Sequence, residues 1–268
     1  MTTRIQQEVN TAISSLCPIR QMANCIEVSS DNLEILQNEE EVFAGWSESS
    51  IEKLESLPAI QFQKRIIPVH EIYTQPKATQ KLLDDPRIDI EKWLSDKLVE
   101  AFAIRENEAF LLGDGQGKPH GLLNNDQISI TSGQISVESL LGVYYELPEK
   151  FIANSSFLVG RETVQRLRML KETNTGRYLW QPGLSFGMPD TLLGSKVVVS
   201  SNMPKPNKDA VTIAFGDFNK GYQIIDRQSI HILCDPFTHK PFVKFYSTKR
   251  VGGAVLNPNA LRLLKLNS

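Results

Sequence analysis

Cysteine and histidine are scarce in this chain: three cysteines (Cys17, Cys25, Cys234) and four histidines (His70, His120, His231, His239) in 268 residues. An odd cysteine count without a CxxC pair fits neither a disulfide framework nor a zinc site. Neither sign of charge dominates, since 29 Lys and Arg stand against 31 Asp and Glu. A protein whose main business is coating nucleic acid needs a clear basic excess to neutralise phosphates, so that class is excluded and at most a local basic surface remains. Long apolar runs are missing too. No stretch approaches the roughly 20 residues that span a bilayer, and residues 1–8 lack the apolar core of a secretory signal, so the chain is expected to be soluble and made inside the cell. Glycine (16) and proline (14) occur at about average frequency, which excludes a collagen-like or low-complexity chain. What is there is ordinary globular composition, 41% hydrophobic, enough for one large domain or two small ones.

The N-terminal segment is mostly polar. Val9, Ile13 and Leu16 make a short helical stretch that Cys17-Pro18 ends, and so few apolar groups read as an arm, not a domain with its own core. Two strand candidates follow, within Glu39–Ser50 and Ile60–Val69, around a charged connection, and together they predict a long hairpin. A two-stranded hairpin with charged flanks is marginal in water, so this one needs a partner to lie on. Residues 89–112 form the clearest helix: Asp89 can cap it, Glu91 suits its first turn, and Ile90, Trp93, Leu94, Leu98, Ala101, Ile104, Leu111 and Leu112 fall near helical spacing. At ~1.5 Å per residue it is about 35 Å long and can act as the backbone of an α+β domain. Downstream, helices are predicted over Val137–Glu146 and Arg161–Glu172. Strands are predicted over 156–160, 195–199, 211–215, 222–225, 230–233 and 243–246, with a last apolar run at 260–266. That irregular order suits an α+β fold better than a regular βαβ array.

The densest glycine cluster, Gly113-Asp114-Gly115-Gln116-Gly117-Lys118-Pro119-His120-Gly121, invites a nucleotide-binding reading and fails it. A phosphate loop would need glycine where Leu112 stands and Ser or Thr where Pro119 stands; a dinucleotide fingerprint would need glycine at Lys118 or His120. Both motifs must also open a helix, whereas this one follows a helix. The cluster reads as a helix stop and sharp turn, with Gly113, Gly115, Gly117 and Gly121 around Asp114 and glycines taking positive φ. Asp114 or His120 here, and Cys234 with His231 and His239, are the candidates for acid–base or nucleophilic chemistry, and a soluble enzyme using the glycine loop is the alternative they would support. None has a second partner at a telling spacing, and His231 and Cys234 sit in an alternating segment that strand geometry explains.

Six segments, in order, resemble those of the tailed-phage major capsid protein family of the Hong Kong 97 type. They are Val42-Phe43-Ala44-Gly45-Trp46-Ser47-Glu48, the glycine cluster with Leu122-Leu123, Gly176-Arg177-Tyr178-Leu179, Leu193–Val199, Phe215-Gly216-Asp217-Phe218 and Arg250–Val255. Each is weak alone, but chance matches would not keep both order and spacing. The resemblance implies an α+β fold with an N-terminal arm (1–38), an extended loop hairpin (39–73), a peripheral domain with a long spine helix (74–130 and 221–252) and an axial domain (131–220 and 253–268). It implies a structural protein without catalytic residues, cofactor or metal, whose main partner is itself, as pentamers and hexamers closing into an icosahedral shell. Trp46, Glu48, Lys53, Arg177 and Tyr178 are the expected inter-subunit contacts. Further partners would be a scaffold, a portal, a maturation protease and packaged DNA held by weak non-specific contact, with no membrane; the protein would assemble in the cytoplasm of a prokaryotic host and reside in the virion. Encapsulins and gene-transfer particles share the fold and remain alternatives. Many family members carry a helical scaffolding segment ahead of the arm; only a few residues precede the arm in this sequence, which leaves open a processed chain, a separate scaffold gene or a shortened sequence. Some members cross-link through a loop lysine and a peripheral-domain asparagine, but Lys53, Asn257 and Asn259 match no such motif, and no cross-link is expected.

Overall fold

In the computed structural model, which describes residues 3–38, 62–83, 89–171, 178, 180 and 190–267, the chain opens with helices α1 (Thr3–Leu16) and α2 (Pro18–Met22). Pro18 lacks the N–H that would continue α1, yet its fixed φ suits the first turn of α2, so the chain bends at Cys17. Strands β1 (Asn24–Val28), β2 (Asn32–Asn38), β3 (Phe62–Pro68), β4 (His70–Thr74) and β5 (Lys77–Thr79) and the short helix α3 (Gln80–Leu83) follow. The spine helix α4 (Ile90–Leu112) begins where the Asp89 carboxylate accepts a hydrogen bond from the Lys92 N–H at 3.0 Å, satisfying a donor the first turn leaves free. Then come β6 (Ser129–Gly133), α5 (Val137–Glu146), α6 (Glu149–Ile152), β7 (Ser156–Val159), α7 (Arg161–Arg168), β8 (Thr191–Leu192), β9 (Ser195–Val199) and β10 (Val211–Gly216). Helix α8 (Phe218–Gly221), β11 (Tyr222–Asp235), β12 (Phe242–Val255), a 3-10 turn at Pro258–Ala260 and β13 (Leu261–Leu266) complete the fold.

Three sheets form among the described residues. A five-stranded sheet has the order β1-β11-β12-β4, with β5 beside the start of β12; β1 runs parallel to β11 and the other pairs are antiparallel. A six-stranded sheet has the order β6-β13-β10-β7-β9-β8, and β2 and β3 pair alone as an antiparallel ribbon. Helices α1 and α4 cover one face of the five-stranded sheet, where Val9, Ile13, Leu94, Leu98 and Phe102 pack with Ile230, Val243 and Phe245. Burying Val9 and Ile13 contributes about 1.5–3 kcal/mol apiece, enough to hold α1 against the spine. The six-stranded sheet packs Phe157, Phe215 and Leu264 against Leu140 and Val143 of α5 and Leu167 of α7. A third cluster joins the two layers: Phe110 and Leu111 at the end of the spine meet Ile19, Tyr222, Ile224 and Leu261.

The helix over 89–112, that over 137–146, and the strands at 156–160, 195–199 and 211–215 stand where periodicity puts them, within a residue or two. Other expectations need correction. The ribbon partner of β3 is Asn32–Asn38, not a strand within 39–50: Leu33 and Ile35 alternate inward opposite Ile67 and Arg65, a register the polar flanks disguise. Residues 39–61 lie outside the described residues. Helix α7 stops at Arg168, short of Glu172, because the Met169 N–H turns back to the Arg166 carbonyl at 3.1 Å and Lys171 leaves for a bridge with Tyr178. The strands expected at 222–225 and 230–233 are one, β11, with an irregularity between Arg227 and His231 absorbing the apparent break.

Candidate assembly surfaces

The β2–β3 ribbon has an inner side, with Leu33, Ile35, Arg65 and Ile67, and an outer side, with Glu34, Leu36, Lys64 and Ile66. Leu36 is 69% and Ile66 52% exposed, flanking a Lys64–Glu34 ion pair of 2.8 Å. At the root the contacts change. Ile67 is buried, and the Arg65 guanidinium donates to the Val255 carbonyl (2.8 Å), the Leu256 carbonyl (3.0 Å) and Gln127 Oε1 (2.8 Å). Asp31, in the turn before β2, pairs with Arg227 and lies 3.9 Å from Arg250, which also holds Glu71 at 3.1 Å. Gly252 permits the close crossing: a Cβ there would sit 2.5 Å from the Pro68 carbonyl oxygen.

The glycine cluster is a tight turn docked on β12. Asp114 and His120 form an isolated bridge, the His120 N–H donates to the Gly253 carbonyl at 2.9 Å, and the buried Tyr222 hydroxyl donates to the His120 carbonyl at 2.8 Å. Gly115 and Gly117 take φ of +80° and +67°, as expected of a turn built on the left-handed region. Gly113 differs, with φ of −63°, and Gly121 is likewise absent from the positive-φ set. These two are small because backbone passes close: a Cβ on Gly121 would lie 2.5 Å from the Gly113 nitrogen, and one on Gly113 would overlap the Pro119 carbonyl. Asp114 is exposed; the Gln116 N–H and Lys118 hold its carboxyl below the usual carboxylate range, so it is an acceptor inside a turn. On β11, His231 and Cys234 are three residues apart and therefore point to opposite faces. Neither pair makes a nucleophile and base. No cluster of three or more potential metal ligands occurs among the described residues.

A buried charge cluster, which sequence reasoning missed, pins the N-terminal segment to the body. Arg20 Nε meets Glu106 Oε2 at 2.6 Å, and its two terminal nitrogens grip Asp226 at 2.6 and 2.8 Å. Lys249 Nζ lies 2.7 Å from the other Glu106 oxygen and 3.6 Å from Asp226. The two cations and two anions balance, as burial demands. Burial works against ionising both Arg20 and Asp226, yet Glu106 and Asp226 hold the guanidinium above its ordinary pKa, and Arg20 and Lys249 hold the Asp226 carboxyl below its own. Next along the spine, Asn107 accepts from Cys17 Sγ (3.6 Å) and donates to Ser200 Oγ (2.9 Å) and Asn202 Oδ1 (2.7 Å). Neighbouring spine residues thus hold α2 on one side and the loop after β9 on the other.

The phage capsid family model matches residues 1–266. The chain belongs to the phage capsid family. Two solved structures described as the capsid of a GTA particle computed with C5 symmetry are similar to it. The native particle has TM-score 0.81 and 33% identity over 94% of this chain and 91% of that one; the empty particle has TM-score 0.84 and 32% identity over 94% and 90%. A structure from Microbacterium phage Oxtober96 shares the fold at TM-score 0.66 and 12% identity, covering 93% of this chain and 90% of that one. No curated protein sequence matches. The fold is the α+β Hong Kong 97 type that the six segments implied.

In a capsid protein the functional sites are the faces that meet other copies. Of the residues expected there, Trp46, Glu48, Lys53 and Arg177 lie outside the described residues. Tyr178 is exposed, with Lys171 Nζ 4.8 Å from its ring centre. Exposed apolar groups gather in two further places. On the five-stranded sheet, Leu233 stands directly opposite Tyr246, whose ring lies 6.2 Å from that of Tyr73; Phe237 and Phe242 extend this patch at the β11–β12 end. On the six-stranded layer, Ile130, Tyr145 and Met169 are exposed. Their large apolar side chains were visible in the sequence, but which face each takes depends on pairing between distant strands.

Proposed function

We propose that this capsid protein builds a closed icosahedral shell from rings of five and six copies, each laying the hairpin that starts in β2 and returns in β3, and its arm, on neighbours. The observation that carries the reading is a likeness to a five-fold-symmetric capsid over 94% of the chain, at 33% identity. The five-stranded layer with the spine helix serves as the peripheral domain (74–130 and 221–252), and most of the six-stranded layer as the axial domain (131–220 and 253–268). Trp46, Glu48, Lys53, Arg177 and Tyr178 make contacts between subunits, and the turn at Gly113, Asp114, Gly115, Gly117 and Gly121 is structural. Affinity comes from many modest interfaces closed by symmetry, and the near-zero net charge of −2 limits repulsion between copies. Scaffold, portal and maturation protease are the expected assembly partners in the cytoplasm of a prokaryotic host, with packaged DNA held by weak non-specific contact. The role is structural, not enzymatic. A gene-transfer-particle shell draws on the same similarity and asks the same of the chain; neighbouring genes distinguish the two.

Replacing both Trp46 and Glu48 with Ala tests the hairpin's part. The double variant should elute as a folded subunit with unchanged circular dichroism, while size exclusion with light scattering and negative-stain images finds few or no shells. Normal particles from that variant would remove the hairpin from the assembly contacts.

A further inference from the structure

The chain passes between the two layers three times. It leaves the six-stranded sheet after β10 and enters β11 through Asp217–Gly221; it returns from β12 to β13 through 256–260; and it runs from the spine helix to β6 past Gln127. The first two passages are tied to each other, since the Asp217 N–H donates to the Ala260 carbonyl at 3.0 Å and the Leu256 N–H to the Gly221 carbonyl at 2.8 Å. Among the described hairpin residues Arg65 reaches this joint, and its planar fork donates to Val255 at the end of β12, to Leu256 where the second passage begins, and to Gln127 on the third. Beside it lies a cavity of about 430 Å³, lined among others by Ile67, His70, Gly115 and His120, so open space borders the root. Ile67 is the buried apolar anchor there, and Asp31 with Arg227 and Pro68 against Gly252 hold the same root to β11 and β12, while the Arg65 fork reaches past them to the joint.

We propose that Arg65 is a positioning residue for assembly: its guanidinium fork sets the angle of the β2–β3 hairpin against the joint between the two sheets, and so the curvature at which neighbouring subunits meet. This rests on the capsid reading, because the angle matters to function only when the hairpin lies on another copy. The fork geometry is what the role requires, since two divergent donor directions define an orientation and a single ammonium does not.

The hairpin angle can be read on the unassembled subunit, so that the capsid reading and this proposal fail separately. Spin labels at Leu36→Cys on the hairpin and Lys208→Cys on the six-stranded layer, with Cys25 and Cys234 replaced by Ser, give a distance distribution by pulsed electron resonance. The parent should give one narrow distribution, and Arg65→Lys and Arg65→Ala should each broaden it by several ångströms while circular dichroism stays unchanged. Under assembly conditions the same variants should form particles of widened diameter range, or open sheets, with Arg65→Ala the more heterogeneous. A broad parent distribution, or an Arg65→Lys distribution as narrow as the parent's, would overturn the proposal. So would failure of both variants to fold, because the residue would then serve the body's stability and not the hairpin's angle. If the parent forms no particles even with its scaffold supplied, the shell reading fails while the distance distributions still decide whether Arg65 sets the hairpin angle.

Discussion

Cys17 is fully buried where α1 gives way to α2, and burial pushes its thiol up to about 11 from an ordinary 9.0. A folded-state pKa above the unfolded one means that folding favours the protonated thiol. The contribution is complete below pH 9.0 and is lost as pH rises through about 11. That rise corresponds to a loss of roughly 3 kcal/mol at the alkaline end. Denaturant unfolding from pH 8 to 11 should therefore show falling stability, with Tyr222, whose hydroxyl burial also raises, adding in the same direction. Cys17→Ser keeps a donor for Asn107 but does not ionise in this range, so its alkaline limb should be shallower by up to that amount. Parallel limbs in parent and variant would show that the thiol does not titrate on unfolding. At this scale the sequence was only partly legible. Asp89 as a cap follows from local pattern, but Glu106 and Asn107 stand in the polar stretch Arg105-Glu106-Asn107-Glu108, where nothing local marks them as the buried pair. That Glu106 meets Arg20 and Lys249, and that these two cations also hold Asp226, depends on chain crossings no local pattern reports.

Among elements, the turn after the spine separates two uses of glycine that look alike in sequence. Gly117 needs its positive φ but has no atom within 4 Å of a built Cβ, whereas Gly121 would press a Cβ to 2.5 Å from backbone that cannot yield. Gly117→Ala should cost about 1–2 kcal/mol, the penalty of a left-handed residue. Gly121→Ala should cost clearly more, because the end of the spine and the start of the next segment must separate. Urea denaturation of the two variants checks the order, and a larger loss for Gly117→Ala would contradict the docked-turn geometry. The regular elements were legible because periods of 3.6 and 2 are local properties. The ribbon partner of β3 was not, because Asn32–Asn38 is polar at its ends and a more apolar run, Val42–Trp46, stands nearby in sequence. Pairing is decided by register against the body, where Arg65 and Ile67 need Ile35 and Leu33 opposite them.

For the whole molecule, the question is how many neighbours one subunit meets. A monomer with one partner needs one apolar patch, but this chain exposes large apolar side chains on the hairpin, at the β11–β12 end and on the six-stranded layer, three places on different elements of the fold. Such a distribution suits a subunit gripped from several sides by weak contacts. Phe237 is 80% and Tyr145 76% exposed, so replacing either with Ser should shift subunit unfolding by no more than about 0.5 kcal/mol. Assembly should respond far more. Each copy repeats the lost contact, and every 1.4 kcal/mol removed per subunit raises the protein concentration needed for shells about tenfold. Tyr145 lies on α5 and Phe237 in the turn between β11 and β12, two separate places in the fold, so their effects on that threshold should multiply in the double variant. Light scattering across a dilution series measures it directly. A threshold unmoved by Phe237→Ser would mean that the end of the long β11–β12 pair stays in solvent in the shell, leaving the hairpin and the six-stranded layer to hold the particle.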